Sequence, residues 1–219
     1  MAELTPMMKQ YFEIKNKNKD YILFYRLGDF YEMFFEDAKL VSRELELTLT
    51  GRDCGQEERA PMCGVPYHSA EGYIAKLVQK GYKIAICEQV EDPKLAKGLV
   101  KREIVRRVTP GTVVEASMLD ESRNNFLGCV FAVQGSIGVC FADITTGEVY
   151  ATGSDNWQDI ASELGRFVPR EVLVGGIAAT ADSFTSFLRE RLEALIEPMP
   201  EESFEAQRAA ERVIKYFHV

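Results

Sequence analysis

The chain has 219 residues, 46% of them hydrophobic and 27% charged, enough apolar material for one or two buried cores, which excludes a disordered segment or a small disulfide-stapled module. Five cysteines (Cys54, Cys63, Cys87, Cys129 and Cys140) scatter without pairing logic, no positively charged start leads into an apolar stretch, and no apolar run reaches membrane-spanning length; a reducing compartment, the cytoplasm, with no membrane contact is expected. The net charge of −8 speaks against a strong phosphate binder, but it is uneven: residues 1 to 113 hold 18 Lys plus Arg against 17 Asp plus Glu, and residues 114 to 219 hold 8 against 17.

In chain order, a short helix is expected near Pro6 to Lys15, followed by a β-hairpin from about Tyr21 to Phe35 around a Gly28-Asp29 turn. Side chains alternate along a strand, so Phe30 and Glu32 share one face of the second arm and Tyr31 takes the other. An aromatic ring beside a carboxylate at a hairpin tip suits a reader of bases, the ring to stack or wedge and the carboxylate to meet a base edge. The same pattern also fits an aromatic core hairpin with Glu32 on its wet edge. Asp37 to Leu47 reads as a helix with Ala38, Val41 and Leu45 on one stripe, and a Gly-Arg-Asp-Cys-Gly loop follows.

Pro61 to Ser69 reads as a stiff loop ending at a helix capped by Ser69, whose Tyr73, Ile74, Leu77 and Val78 face inward until Gly81 stops it. A helix N-terminus favours phosphate, so this loop is a second candidate DNA contact, with a structural crossover as its alternative. Lys83 to Val90 is expected as a buried strand, Lys94 to Lys101 as a short helix and Glu103 to Val108 as a strand. The polar, aperiodic stretch at 117–125 is the candidate linker between a domain at 1–116 and a second at 126–219.

Beyond it, strands are expected at Phe126 to Val133, Ile137 to Ile144 and Glu148 to Thr152. Asp155 to Phe167, Ser183 to Arg191 and Ser203 to Tyr216 then read as helices, alternating with strands at Glu171 to Val174 and Leu195 to Glu197. Three meandering strands followed by alternating helices and strands give a ribonuclease-H-like order, so the fold class expected is α/β (α+β), a mixed-sheet domain followed by a ribonuclease-H-like one. The chain stops inside or just after a helix with no polar tail, which leads to the expectation that the second domain lacks its last elements.

Other constellations carry less. Cys54, Cys63, His68 and Cys87 lack the short paired spacings of structural zinc, and no metal site is expected. Asp143 ends a strand where ribonuclease-H-like nucleases keep a metal-binding acid, but the strand Phe126 to Val133 offers no partner acid, so turn chemistry before Thr145-Thr146-Gly147 is expected. Gly175-Gly176 lacks a phosphate-loop spacing and reads as a turn.

Five blocks in one order carry a resemblance: Thr5 to Tyr11, Phe24 to Phe34, Pro61 to His68, Ala85 to Val90 and Arg107 to Thr112. Together they resemble the amino-terminal domain of the MutS family of DNA mismatch repair proteins, densely over about the first 115 residues and by pattern alone afterwards. The resemblance implies a mismatch-recognition domain followed by a connector domain. It further implies that Phe30 and Glu32, matching the family's Phe-x-Glu, enter the minor groove at a mispair.

The remaining candidate DNA contacts are Leu27, Gly28 and Asp29 at the hairpin tip, Gly64, Val65, Pro66 and His68, and the cations Arg26, Arg52, Arg59 and Lys76. For a full-length protein the resemblance implies a homodimeric clamp driven by ATP and Mg2+, with a downstream repair protein docking on the connector. No Gly-x-x-x-x-Gly-Lys-Ser/Thr occurs here, so this part is expected to hydrolyse nothing and to need no cofactor. A carboxylate at Glu32 is expected to weaken binding to ordinary duplex unless it finds a base partner. Two alternatives stand beside this reading: a metal-dependent nuclease on the second domain, and a protein-interaction module suggested by its acidity.

Overall fold

The computed structural model of the protein describes residues 3–91, 98–120 and 122–218. Internal contacts divide it into two compact units, Met1–Thr109 and Pro110–Val219.

The first unit opens with α1 (Pro6–Asn16), where the Thr5 side chain accepts the Met8 N–H at 3.3 Å and Pro6 fills a position needing no donor. Strands β1 (Ile22–Leu27) and β2 (Phe30–Phe34) form the expected hairpin, and α2 (Phe35–Leu45) follows directly. Next come β3 (Thr50–Arg52), β4 (Ala60–Pro66), α3 (Ala70–Gln79), β5 (Ile84–Gln89) and β6 (Arg102–Val108). The sheet order is β3-β4-β2-β1-β5-β6, mixed because β1 and β5 run parallel while the other pairs are antiparallel.

Strand β1 is buried on both faces through Ile22, Leu23, Phe24 and Tyr25. On one face Tyr11 of α1 meets Tyr25 and Phe34 edge-on, with ring centroids 5.6 and 5.1 Å apart. Asp37 of α2 is buried there, bonded to Lys15 Nζ and to the Leu23 N–H at 3.0 Å, so one carboxylate ties α1, β1 and α2 together. Burial pushes the Asp37 carboxyl above its ordinary value, although the Lys15 ammonium pulls the other way.

Several sequence expectations change in this unit, beginning with Gly51 and Arg52, read as loop and found in β3. The stretch Pro61 to Ser69 is mostly strand, because Cys63 and Val65, two apart, turn into the core, Ala60 is buried at the strand start, and β4 pairs antiparallel with β2 and β3. Its prolines are tolerated because Pro61 stands next to the strand start and Pro66 ends it. A 3-10 turn, Tyr67–Ser69, then leads into α3, and the Ser69 hydroxyl donates to the Pro66 carbonyl at 3.2 Å instead of capping the helix. Of the helix expected at Lys94 to Lys101, residues 94–97 lie outside the described ones, and Gly98 and Leu99, within them, bend.

The second unit contains β7 (Phe126–Val133), β8 (Ser136–Asp143), β9 (Val149–Ser154), α4 (Trp157–Phe167), β10 (Glu171–Gly176), α5 (Asp182–Glu190), β11 (Leu195–Pro198) and α6 (Ala206–Phe217). Its sheet order is β11-β10-β7-β8-β9, with an antiparallel meander β7-β8-β9 and parallel pairs β7-β10 and β10-β11, the ribonuclease-H-like order expected from the sequence. Val130, Phe141, Ile160, Leu164, Val172, Val174 and Leu188 fill its core. Neither sheet closes into a barrel.

This unit begins before the polar stretch at 117–125. The Gly111 N–H donates to Glu171 Oε2 at 3.0 Å and Asn125 Nδ2 donates to the Pro110 carbonyl at 2.9 Å, which fastens 110–125 to the second sheet. Gly175 and Gly176, read as a turn, are the last residues of β10. A Cβ at Gly175 would lie 2.1 Å from the Phe204 ring, so glycine is required there by packing.

Candidate nucleic-acid interface

The hairpin tip is set by backbone chemistry first. Leu27 and Phe30 form its last cross-strand pair, and Gly28 between them takes a φ of +56°, which glycine alone adopts without strain. Arg26 Nε donates to the Gly28 carbonyl at 2.5 Å, and the Tyr67 N–H donates to the Asp29 carbonyl at 2.9 Å. The turn is therefore clamped from its own strand and from the segment after β4.

Register then sorts the side chains of β2. Phe30 lies opposite Leu27 and Pro66, and Glu32 opposite Tyr25 and Gly64, all on one face. Tyr31 lies opposite Arg26 and Val65 on the other face, buried beside Phe24 with ring centroids 6.0 Å apart. Phe30 remains 47% exposed, a large apolar ring offered to solvent by a strand whose neighbours are core. Along an extended arm it stands about 7 Å from Glu32.

Glu32 is not an open carboxylate. Its side chain is 13% exposed, and Arg52 Nη1 donates to Oε1 at 2.6 Å and to Oε2 at 2.5 Å, while the Arg52 side chain stays 38% exposed. Gly64 makes room for this approach: a Cβ there would come within 3.4 Å of Glu32 Cγ and 3.2 Å of the Tyr31 carbonyl oxygen. The carboxylate thus lies over β4 and reaches a guanidinium carried by β3.

Arg26 is engaged on the opposite face. Its guanidinium sits 3.6 Å from the Tyr67 ring centroid and 5.6 Å from that of Tyr31, and Nη1 lies 3.6 Å from Glu88 Oε1. The Tyr31 hydroxyl donates to the same Glu88, and burial together with that bond pushes the Tyr31 phenol up to about 12. Arg26 is a brace under the tip, and the structure uses its charge internally.

The other candidate residues divide by position. Leu27 is half-buried, Gly28 and Asp29 are exposed in the turn, and His68 is exposed beside Tyr67 with ring centroids 5.7 Å apart. Val65 is buried, so its side chain points away from any ligand surface. Arg59 stands exposed next to Ala60, the register partner of Arg52, and Lys76 is exposed on α3. Tyr67 and Glu88 join the tip without having been singled out by the sequence. The pairing of Tyr67 with Asp29 depends on where β4 ends, which local pattern does not reveal.

Elsewhere the chemistry is structural. Asp143 Oδ1 accepts from the Thr145 N–H at 2.8 Å and the Thr145 hydroxyl at 2.6 Å, and Oδ2 accepts from the Asn125 N–H at 3.0 Å, the turn chemistry expected of it. Cys63 and Cys87 are buried, and burial pushes their thiols up to about 11 and about 12, so they stay protonated at neutral pH. Among the described residues no three His, Cys, Asp or Glu side chains gather as a metal site.

Comparison with known proteins gives one consistent result. The family described as MutS domain I matches residues 5–117, and MutS domain II matches residues 125–219. The DNA mismatch repair protein MutS of Acetivibrio thermocellus is 52% identical over 220 aligned residues, covering 99% of this chain and 25% of that protein. The MutS protein of Lachnoclostridium phytofermentans is 51% identical over all of this chain and 24% of its own length. That of Caldicellulosiruptor saccharolyticus is 59% identical over 80% of this chain. The chain spans about a quarter of the length of these curated relatives.

Proposed function

The chain belongs to the MutS family, matching its domains I and II, and from that premise we propose that it recognises mispaired or unpaired bases in duplex DNA. Phe30 is the wedge in this reading. It enters the minor groove and stacks at the mispair, while Glu32 accepts a hydrogen bond from the displaced base edge. The observation that carries this is the half-exposed ring of Phe30 on a clamped hairpin tip, two residues along the same strand face from a carboxylate.

The physical basis of selectivity is deformability. A mispair stacks poorly, so unstacking and kinking the duplex there costs less than at a paired step, and a difference of a few kcal/mol becomes discrimination. The tip is suited to pushing because its turn is braced by Arg26 and by the Tyr67 N–H. The near balance of 18 basic and 17 acidic residues in positions 1 to 113 supports only weak phosphate attraction, so most duplex affinity resides in other parts of a full-length protein.

The same premise supports a cytoplasmic, homodimeric full-length protein that binds ATP and Mg2+ outside this part, with Phe30 of one subunit at the mispair and a downstream repair protein on the second unit. In this reading residues 1–219 neither bind ATP nor hydrolyse it.

The test is Phe30→Ala in full-length protein, read by fluorescence anisotropy on matched and mismatched oligonucleotides. Loss of stacking worth about 1–3 kcal/mol should collapse the preference for mismatched duplex. Unchanged discrimination would remove Phe30 from the role of reader.

A further inference from the structure

The ion pair between Arg52 and Glu32 has two unequal ends. The carboxylate is nearly covered, whereas the guanidinium keeps more than a third of its surface in solvent. Removing Arg52 from Glu32 would leave a largely desolvated carboxylate without its cation, a costly state unless another donor takes its place. Arg52 therefore has two possible employments, on Glu32 or on a phosphate, and the first must be vacated for the second.

An undistorted duplex offers Glu32 little in exchange, because its Watson-Crick donors are already paired. A mispaired or unpaired base has a donor to give. Once that donor occupies Glu32, the guanidinium is left with its charge and its exposed face, and phosphate is the partner available to it.

Resting on the proposed roles of Phe30 and Glu32, we propose that Arg52 is a specificity-determining residue: it neutralises Glu32 on matched duplex and is transferred to a DNA phosphate only when a base edge replaces it. Discrimination is then an exchange of partners. Base readout and phosphate affinity are coupled through one carboxylate, and Glu32 acts on matched duplex by holding a cation back. This differs from simple repulsion, in which the carboxylate acts on phosphates regardless of what Arg52 does.

A double-mutant cycle separates the two. Full-length wild type, Glu32→Gln, Arg52→Gln and the double variant are titrated with matched and mismatched duplexes across a salt series. With Arg52 present, Glu32→Gln frees the guanidinium and should tighten matched-duplex binding by roughly three- to tenfold, the scale of coupling between contacting residues. It should also steepen the dependence of log K on log salt by about 0.9, one added phosphate contact. With Arg52→Gln in the background the tightening should fall below about twofold, since no cation remains to be released.

Equal tightening in both backgrounds would overturn the exchange in favour of repulsion, and no tightening in either would overturn any role for the pair. Arg52→Lys guards against a folding defect: a single nitrogen bridges both carboxylate oxygens, which an ammonium can copy, so matched-duplex affinity should stay within about twofold of wild type. A lysine variant that behaves as the glutamine variant would count against the exchange. Phe30→Ala, run alongside, keeps the two levels apart. Retained discrimination in that variant defeats the wedge reading itself, while lost discrimination with an additive cycle defeats only the role given to Arg52.

Discussion

Two acidic side chains stand on strands of the two units, Glu32 on β2 and Asp143 on β8, and their surroundings differ in kind. Asp143 is 1% exposed and its oxygens are filled by the backbone N–H groups of Asn125 and Thr145 and the Thr145 hydroxyl, donors fixed by the chain itself. Glu32 has a side-chain donor, Arg52, carried on a neighbouring segment and partly in water. A carboxylate satisfied by backbone holds a turn together. One satisfied by a single, partly exposed cation can change partners at small structural cost.

The sharpest way to break this comparison is to remove Asp143. Asp143→Ala removes a buried carboxylate that accepts from the part-buried Asn125 and Thr145 N–H groups and the Thr145 hydroxyl, and should lower the stability of the second unit by about 2–4 kcal/mol, read by urea unfolding. Acid should expose the same dependence. Burial works to raise the Asp143 carboxyl, but the Thr145 hydroxyl and the surrounding N–H groups outweigh it and hold the group below its ordinary value. A carboxyl lowered in the folded state contributes stability above its unfolded value, and that contribution is lost as pH falls through the lowered one. Unfolding followed from neutral pH down through the carboxylate range should show this loss, and Asp143→Asn should diminish it.

Glycines sharpen the comparison at a smaller scale. At Gly175 a Cβ would strike the Phe204 ring at 2.1 Å, and that ring stacks on Phe131 with centroids 4.6 Å apart. Gly175→Ala should cost about 1–3 kcal/mol by forcing this stack apart. At Gly64 the nearest atom would be 3.2 Å away, so Gly64→Ala should cost under about 1 kcal/mol and show instead in DNA binding, by disturbing the path of Glu32 to Arg52. Smallest of all is the stability effect of Phe30→Ala. A ring already half in solvent should change unfolding by no more than about 0.5 kcal/mol, which would separate the proposed binding role of Phe30 from any role in the core.

The hairpin and the placement of Phe30 and Glu32 on one face were legible because two local signals agree there: alternation of period two, and Gly-Asp at the turn. The second unit's order was legible for the same reason, its strands being short and apolar between clear breakers. Pro61 to Ser69 misled because two prolines and a glycine read locally as loop, whereas pairing with β2 decided the outcome. The bond between Glu32 and Arg52 was out of reach, since it spans 20 residues of sequence and depends on β4 lying between the two strands that carry them. The engagement of Arg26 was out of reach for a similar reason: Tyr67 and Glu88, which hold it, come from distant segments.

The central claim is that the Phe30 ring itself stacks on the mispaired base. Placing 5-iodouracil at the mispair of a bound duplex, irradiating the complex with full-length protein and mapping the adduct by mass spectrometry tests this directly. The crosslink should fall on Phe30, with its yield dropping sharply when the same base is correctly paired. A crosslink that maps to Tyr67 or elsewhere while mismatch binding remains intact would contradict it.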